Sequence, residues 1–574
     1  MTGRPATPEA RARARARRGW LRASRLSDAA RLAMKGLLRP LALRGRPGHP
    51  PPGAPRRLLV VQLDGVSRPR LEAALANGYL PFLASRLAAG GHVLSSTRSG
   101  APASTPAFQA GLFYGVSPSV PGYVWLDRRT CRAVRMDRAD DAALVEARLA
   151  RAAPGLLRGG TSYFSIFSGG AAFPHFCLSG LAGDYDAGLG WIEEHLGPWE
   201  ALASTLVHSV TATRGAVRLA HEAGAGVVDG LRWSVALGRL KHEPRFLWHR
   251  LLFSGLLREL LVQGILVDVS RGVPVIYTDL VGYDEAAHRR GPGSRVALRS
   301  LASADAALAM IFAATDAVPE LGYDVYVLSD HGHVPTRPFE SLAGVPLPEF
   351  VECAEHGDAL PEPRPVGPNR GVAGGRTLGA GRSATIGAAE AGDLAHVYFL
   401  RDGGPLPLEA LRARHPRVLA ALAASPAVGV TAARGGRRGL ALWDGAVLDL
   451  AEPRDLARLP HPDPALAAAY LSDLLALQES GDLVVTGWRG EGRPVVAYAW
   501  EFGSHGGISP EELEPFVVHP REVAFPFGAV LRPSELYRFF EETYRAPRDR
   551  ERRVGAGPGD AGAGLAAGAP RTTP

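Results

Sequence analysis

Short apolar runs that end abruptly at polar residues recur along this chain. Leu58-Leu59-Val60-Val61-Gln62-Leu63 reads as a buried strand that stops at Asp64-Gly65. Val273–Asp279 is another, and beyond its polar exit Asp284 and His288 stand four residues apart, just before a Gly-Pro break. Tyr323–Leu328 ends at Ser329-Asp330-His331-Gly332, and Val495–Trp500 leads into Glu501-Phe502-Gly503-Ser504-His505-Gly506-Gly507. Shorter strand-like pieces lie at His92–Ser96, His396–Leu400, Gly439–Trp443 and Leu483–Thr486. Leu298, Leu301, Leu308 and Ile311 recur at helical spacing between Ser294 and Ala314. Leu408–Leu422, Pro464–Ser480 and much of Trp191–Leu266 also read as helical. Strand, helix and strand from Val273 to Leu328 form a βαβ unit, which requires a parallel sheet. The predicted fold class is therefore α/β, with a mostly parallel central sheet flanked by helices.

The same pattern divides the chain. Met1–Pro55 opens with an Arg/Ala tract and closes on Pro and Gly, so it is expected to be a disordered tail. Within it, Trp20–Leu43 fits either a basic amphipathic helix docking on an anionic membrane surface or a solvated basic segment. One folded domain over 56–545 follows, with large insertions at about 123–272 and 333–500. Within the insertions Gly159–Ser179 is Gly- and Phe-rich, and Pro361–Ser383 reads as a surface loop. Residues 546–574 are Arg- and then Gly/Ala-rich, a second disordered tail.

Composition changes this picture in two places. The total charge of +8 is carried by the N-terminal tail: Met1–Arg57 holds fifteen Lys and Arg against Glu9 and Asp28, leaving about −5 for the rest. Nucleic-acid binding by the folded body is thus not expected; for the basic segment the solvated reading is favoured, with peripheral membrane contact as its alternative. Three scattered cysteines, Cys131, Cys177 and Cys353, form neither a disulfide framework nor a thiolate metal site. No stretch reads as a transmembrane helix or secretory signal; the apolar Phe246–Val267 is interrupted by His249, Arg250, Arg258 and Glu259.

Four strand exits carry one kind of chemistry: Asp64, Asp284 with His288, Asp330 with His331, and His505. Three carboxylates and three imidazoles could converge on one sheet edge and hold two divalent ions with open positions. Oxygen and nitrogen donors without thiolate suit Zn²⁺, with Mn²⁺ or Fe as alternatives. Ser104-Thr105, ahead of a helix-compatible run, offers either a helix cap or a nucleophilic hydroxyl on a helix N-terminus. His333 and His396 read as structural.

Five motifs in order, L-D-G at Leu63–Gly65, S-T-P-A-F at Ser104–Phe108, Y-D-E-A-A-H-R-R-G-P at Tyr283–Pro292, S-D-H-G at Ser329–Gly332 and G-S-H-G-G at Gly503–Gly507, resemble the alkaline phosphatase superfamily. The likeness is greatest to its nucleotide pyrophosphatase/phosphodiesterase branch. The resemblance implies one metal held by Asp284, His288 and His505, and another by Asp64, Asp330 and His331 beside Thr105. Thr105 would then attack phosphorus and form a phospho-threonine intermediate. Gly115, Pro118 and Gly122 fit the family's spacing counted from Thr105 and not from Ser104.

Two features depart from the family pattern. Tyr114 and Pro121 replace its usual Thr and His, and no Asn follows Gly122 where family phosphodiesterases bind a phosphoryl oxygen; Gln109, Trp125 and Asp127 are candidates to alter that role. The expected function is a two-metal phosphoric ester hydrolase acting on a small or lipid-like phosphoester. A phosphomonoesterase, a phosphotransferase and a catalytically degenerate membrane-surface scaffold are the alternatives. A sulfatase is disfavoured, because Cys131-Arg132-Ala133-Val134-Arg135 lacks the proline of the sulfatase motif.

Overall fold

A computed structural model of the chain describes residues 56–116, 120–182, 228, 258–359, 377–378, 385–526 and 532–545. The two tails, Pro118, most of Trp191–Leu266 and most of Pro361–Ser383 lie outside the described residues.

Seven strands form the central sheet: β1 (Arg57–Gln62), β2 (His92–Ser96), β3 (Thr161–Tyr163), β4 (Phe173–His175), β5 (Val275–Asp279), β6 (Tyr323–Leu328) and β7 (Phe516–Pro520). Their order is β2-β7-β6-β1-β5-β3-β4. β1 pairs in parallel with both β5 and β6, and β3 with both β4 and β5. Only β7 runs the other way, antiparallel to β2 and β6. The sheet is thus mostly parallel, and the connection from β5 to β6 steps over β1.

The three central strands are buried at nearly every position because both faces are covered. Leu59, Val61, Ile276, Val325 and Val327 point into one core, which receives α2 (Arg258–Arg271) and α4 (Arg295–Asp316). Leu58, Val60, Val275, Tyr277, Tyr326 and Leu328 point the other way, onto α1 (Thr105–Tyr114) and α5 (Pro533–Phe540). Between α2 and α4 lies the short α3 (Tyr283–Arg290). Ser294 caps α4 by accepting from the Ala297 N–H. Among the described residues α4 is the one helix long and apolar enough to cross a membrane, and its Leu301, Leu308 and Ile311 are buried against the sheet.

Between His331 and His505 the chain builds a second, antiparallel sheet. Its order is Thr377–Leu378, Ile386–Ala391, Leu394–Phe399, Leu483–Thr486, Thr431–Ala433, Leu440–Trp443 and Ala446–Asp449. Val397, Phe399, Leu483 and Val485 on one face join a core with helices Leu347–His356 and Pro416–Ala424. Leu394, Ala432, Leu448 and Val484 on the other face pack with helix Pro464–Ala476.

Three local expectations change. The helix expected over Leu408–Leu422 is two, Leu408–Arg414 and Pro416–Ala424, because Pro416 has no N–H to donate and its ring clashes with the preceding turn. The stretch 123–272, read as an insertion, supplies β3 and β4 to the central sheet and a hairpin of Val124–Asp127 with Arg132–Arg135. β7 follows the last motif and had no counterpart among the expected strands.

Candidate metal centre

The C-terminal ends of β1, β5 and β6 lie side by side at the middle of the sheet, where open α/β sheets form their binding crevice. Asp64 follows β1, and Asp330 and His331 follow β6. α3, directly after β5, presents Asp284 and His288 from one face at four-residue spacing. His505 is tied in through the short strand Gly503–Ser504, which pairs antiparallel with Val334–Pro338. The Phe502 N–H also donates to the His288 carbonyl at 2.9 Å.

The donors fall into two groups. Asp64, Asp330 and His331 form one, and Asp284, His288, His333 and His505 form the other; within each, the donor atoms lie within 4.8 Å of one another. The six sequence-predicted donors fall into these two groups, with His333 added to the second. Asp64, Asp330, His331 and His333 are buried, whereas Thr105, Asp284, His288 and His505 are partly exposed, so the centre opens on the Thr105 side.

Thr105 is the first residue of α1, and Ser104 is its extended N-cap. The Thr105 Oγ1 lies 3.3 Å from Asp64 Oδ1 and 3.3 Å from His331 Nε2. The Ser104 hydroxyl is buried without a hydrogen-bond partner. It is the threonine hydroxyl that faces the carboxylates.

The orientation of the imidazoles follows from what Nδ1 touches. His331 Nδ1 lies 3.2 Å from the Gly332 carbonyl, His333 Nδ1 3.0 Å from that of Gly65, and His505 Nδ1 2.8 Å from that of Ala103. His288 Nδ1 lies 3.0 Å from the Gly503 carbonyl and 3.1 Å from the Glu501 carboxylate. A carbonyl oxygen only accepts, so Nδ1 is the protonated nitrogen and, in the neutral ring, each Nε2 presents a lone pair. Those lone pairs face carboxylate oxygens: His331 to Asp330 at 3.2 Å, His333 and His288 to Asp284 at 3.2 and 3.3 Å. Asp284 Oδ1, Asp330 Oδ2 and His333 Nε2 are buried and unbonded. Lone pairs confronting each other in a buried site fit a cation between them, with outer partners fixing each ring.

The electrostatics agree with this fit. Burial pushes the Asp64 carboxyl well above its ordinary range, and the neighbouring Asp330, Asp279 and Asp284 add to it. Burial also raises Asp330. Burial holds His331 down to about 4, and burial with His331 and His288 holds His505 down to about 3. His288 is the exception: burial opposes its proton, but Glu501 and Asp284 raise it well above the usual imidazole value. That negative field would equally favour a bound cation.

His333 is the residue that the sequence reading placed elsewhere, and here it stands in the second donor group. The signal was the second histidine of Asp330-His331-Gly332-His333. Gly332 stands between the two rings: a Cβ there would meet the Glu511 carbonyl oxygen at 2.1 Å, so only glycine fits this close approach. His396, by contrast, is structural. Its Nε2 donates to the Pro121 carbonyl at 2.8 Å and its Nδ1 accepts from the Gly481 N–H at 3.3 Å.

None of the residues considered for phosphoryl contact is free for it. Gln109 is bonded to Tyr277 and to the Ile166 N–H, Trp125 lies in the core, and Asp127 accepts from the Arg129 and Thr130 N–H groups. Tyr123, next to Gly122 and partly exposed, has its hydroxyl pKa raised by burial first and then by Asp137, Asp284 and Asp64.

No protein-family profile matches the chain, and no curated protein does. Among solved structures it is similar to murine ectonucleotide pyrophosphatase/phosphodiesterase 5, at 11% identity over 85% of this chain and 94% of that one, with a TM-score of 0.42. It is also similar to phosphonoacetate hydrolase from Sinorhizobium meliloti 1021 in complex with phosphonoacetate, at 17% identity over 85% of this chain and 96% of that one, with a TM-score of 0.43.

Proposed function

We propose that this protein is a two-metal phosphoric ester hydrolase of the phosphodiesterase/nucleotide pyrophosphatase type, acting through a phospho-threonine intermediate at Thr105. The observation that carries the reading is the placement of the Thr105 Oγ1, 3.3 Å from both Asp64 and His331 and at the open mouth of two donor groups. Asp64, Asp330 and His331 would hold one divalent ion and Asp284, His288 and His505 the other. Zn²⁺ suits these donors, and Mn²⁺ or Fe also fit. Bound there, the ions would lower the pKa of the hydroxyl and neutralise charge on the phosphoryl oxygens.

The protein's own part is positional. α1 directs the positive end of its dipole at Thr105, which favours an alkoxide there and a phosphoryl group beside it. The threonine oxygen bonds to phosphorus as the ester oxygen opposite departs with its electron pair and takes up a proton. Water then cleaves the threonine–phosphate bond, restoring the hydroxyl and releasing phosphate or a phosphomonoester. Burial of Asp330 and His331 keeps bulk water from the inner side.

Metal analysis of the purified protein, with turnover of nitrophenyl phosphate mono- and diesters by wild type and Thr105→Ala, tests the proposal. About two ions per chain and a Thr105-dependent activity are expected. Fewer than about one ion per chain, or undiminished turnover in the variant, would overturn it.

A further inference from the structure

We propose that His333 is a fourth protein ligand of the metal ion held by Asp284, His288 and His505, so that this site has four protein donors where the Asp64 site has three. The inference rests on the two-metal reading above.

Three observations carry it. First, the rings of His288, His333 and His505 form a nearly equilateral triangle, with centroids 4.6 Å apart for His288–His333, 4.9 Å for His333–His505 and 5.0 Å for His288–His505. Asp284 completes the set, since each of the three Nε2 atoms lies within 3.8 Å of one of its oxygens. Second, His333 is held as the other three histidines are. Its Nδ1 donates to the Gly65 carbonyl at 3.0 Å, and its Nε2 is buried, unbonded and directed at Asp284 Oδ1 at 3.2 Å. Third, the backbone is shaped around this ring. Gly65 has φ +72°, and a Cβ there would meet the His333 ring at 2.6 Å.

The position of His333 gives the ligand a definite role. His333 is 1% exposed, whereas Asp284, His288 and His505 are partly exposed. His333 therefore reaches the site from the buried side and leaves the mouth clear. Four nitrogen and oxygen donors satisfy a tetrahedral ion. A substrate oxygen entering from the mouth is then a fifth donor at this site. The Asp64 site, with three protein donors, keeps an open position in the resting protein. The two sites should differ in affinity, with the Asp284 site the tighter.

Wild-type protein with ¹⁵N-labelled histidine, loaded with ¹¹³Cd²⁺, tests this without any substitution. Three imidazole nitrogens split by one cadmium and one split by the other are expected. Two on one cadmium and one on the other would overturn the fourth ligand and leave the two-metal reading standing. No cadmium-split imidazole at all would overturn both. Chelator competition on His333→Ala should show at least about a 100-fold loss of Cd²⁺ affinity at one site, beyond the effect of removing an outer partner. Affinity at the Asp64 site should stay unchanged, and added imidazole should restore the weakened site. Equal affinities in variant and wild type, or no response to imidazole, would refute the assignment.

Discussion

The imidazoles of His331 and His505 lie stacked, with centroids 3.7 Å apart and planes 18° from parallel. One follows a strand of the central sheet and the other follows the second sheet in the chain, yet they belong to adjoining donor groups. The stack makes the two groups one centre. A change of charge in one is felt in the other, as the contribution of His331 to lowering His505 shows. By the same sign, positive charge in one group opposes positive charge in the other.

Thr105 should be essential for turnover and dispensable for the protein's stability. Thr105→Ala is expected to lower kcat on a nitrophenyl phosphodiester by on the order of a thousandfold or more. Its metal content should stay near that of wild type. Thr105→Ser keeps a hydroxyl at the helix N-terminus and should recover part of the rate. Acid quenching during turnover and peptide mass analysis should place a phosphoryl group on the Thr105 peptide of wild type. A Thr105→Ala rate within about tenfold of wild type would exclude the threonine as nucleophile.

Asp64→Asn should act in opposite directions with and without metal. The Asp64 carboxyl is raised well above its unfolded value by burial and by Asp330, so without metal its ionised form opposes folding at neutral pH. Replacing it by an amide should raise the melting temperature of chelator-treated protein. With metal present the same change removes a ligand and should lower it, together with the loss of one ion. Thermal melts in chelator and in Zn²⁺ would decide this, and shifts of the same sign in both would contradict it.

Glu501 is a positioning residue for His288. Its carboxylate lies 3.1 Å from His288 Nδ1 and accepts from the Ser504 hydroxyl at 2.8 Å. Glu501→Gln keeps the shape and removes the charge. Metal affinity at the Asp284 site is expected to fall by about 10- to 100-fold, as is usual for an outer-shell partner. Isothermal titration would reveal it, and an affinity within about twofold of wild type would rule the role out.

His396 should contribute to acid sensitivity. Burial holds it down to about 4 from 6.5, so between those values the unfolded chain binds a proton that the folded protein does not. Stability attributable to His396 is therefore intact above pH 6.5 and is lost as pH falls toward 4, by on the order of 3 kcal/mol. His396→Gln can still donate to the Pro121 carbonyl and accept from Gly481, and should flatten that limb of the stability profile. Urea midpoints across this range would test it; an equal slope in the variant would refute it.

Much of the centre was legible because its signals are local. An apolar run that stops at a polar residue identifies a covered strand and its exit, and this located Asp64, Asp330 and His331 within a few residues of β1 and β6. The i, i+4 spacing put Asp284 and His288 on one helix face. Mostly parallel pairing followed from a single strand–helix–strand unit. What no local pattern carried was pairing at a distance. β3 and β4 are three residues each and depend on β5 and on each other, and β7 exists as a strand because β2 and β6 flank it.

The same reason separates His333 from His396, which the chain presents alike. Which nitrogen of a buried ring faces a neighbour is set by what the other nitrogen touches. For His396 both partners are backbone groups, Pro121 and Gly481, and the ring is spent. For His333 one partner is Gly65, and the remaining lone pair points at Asp284. The sequence alone determined the donor types and the strand exits that carry them. The resemblance already favoured Thr105 over Ser104; only the tertiary fold decided that His333 stands among the donors and how the Thr105 hydroxyl is aimed at them, because hydrogen bonds between distant segments aim side chains and local periodicity does not.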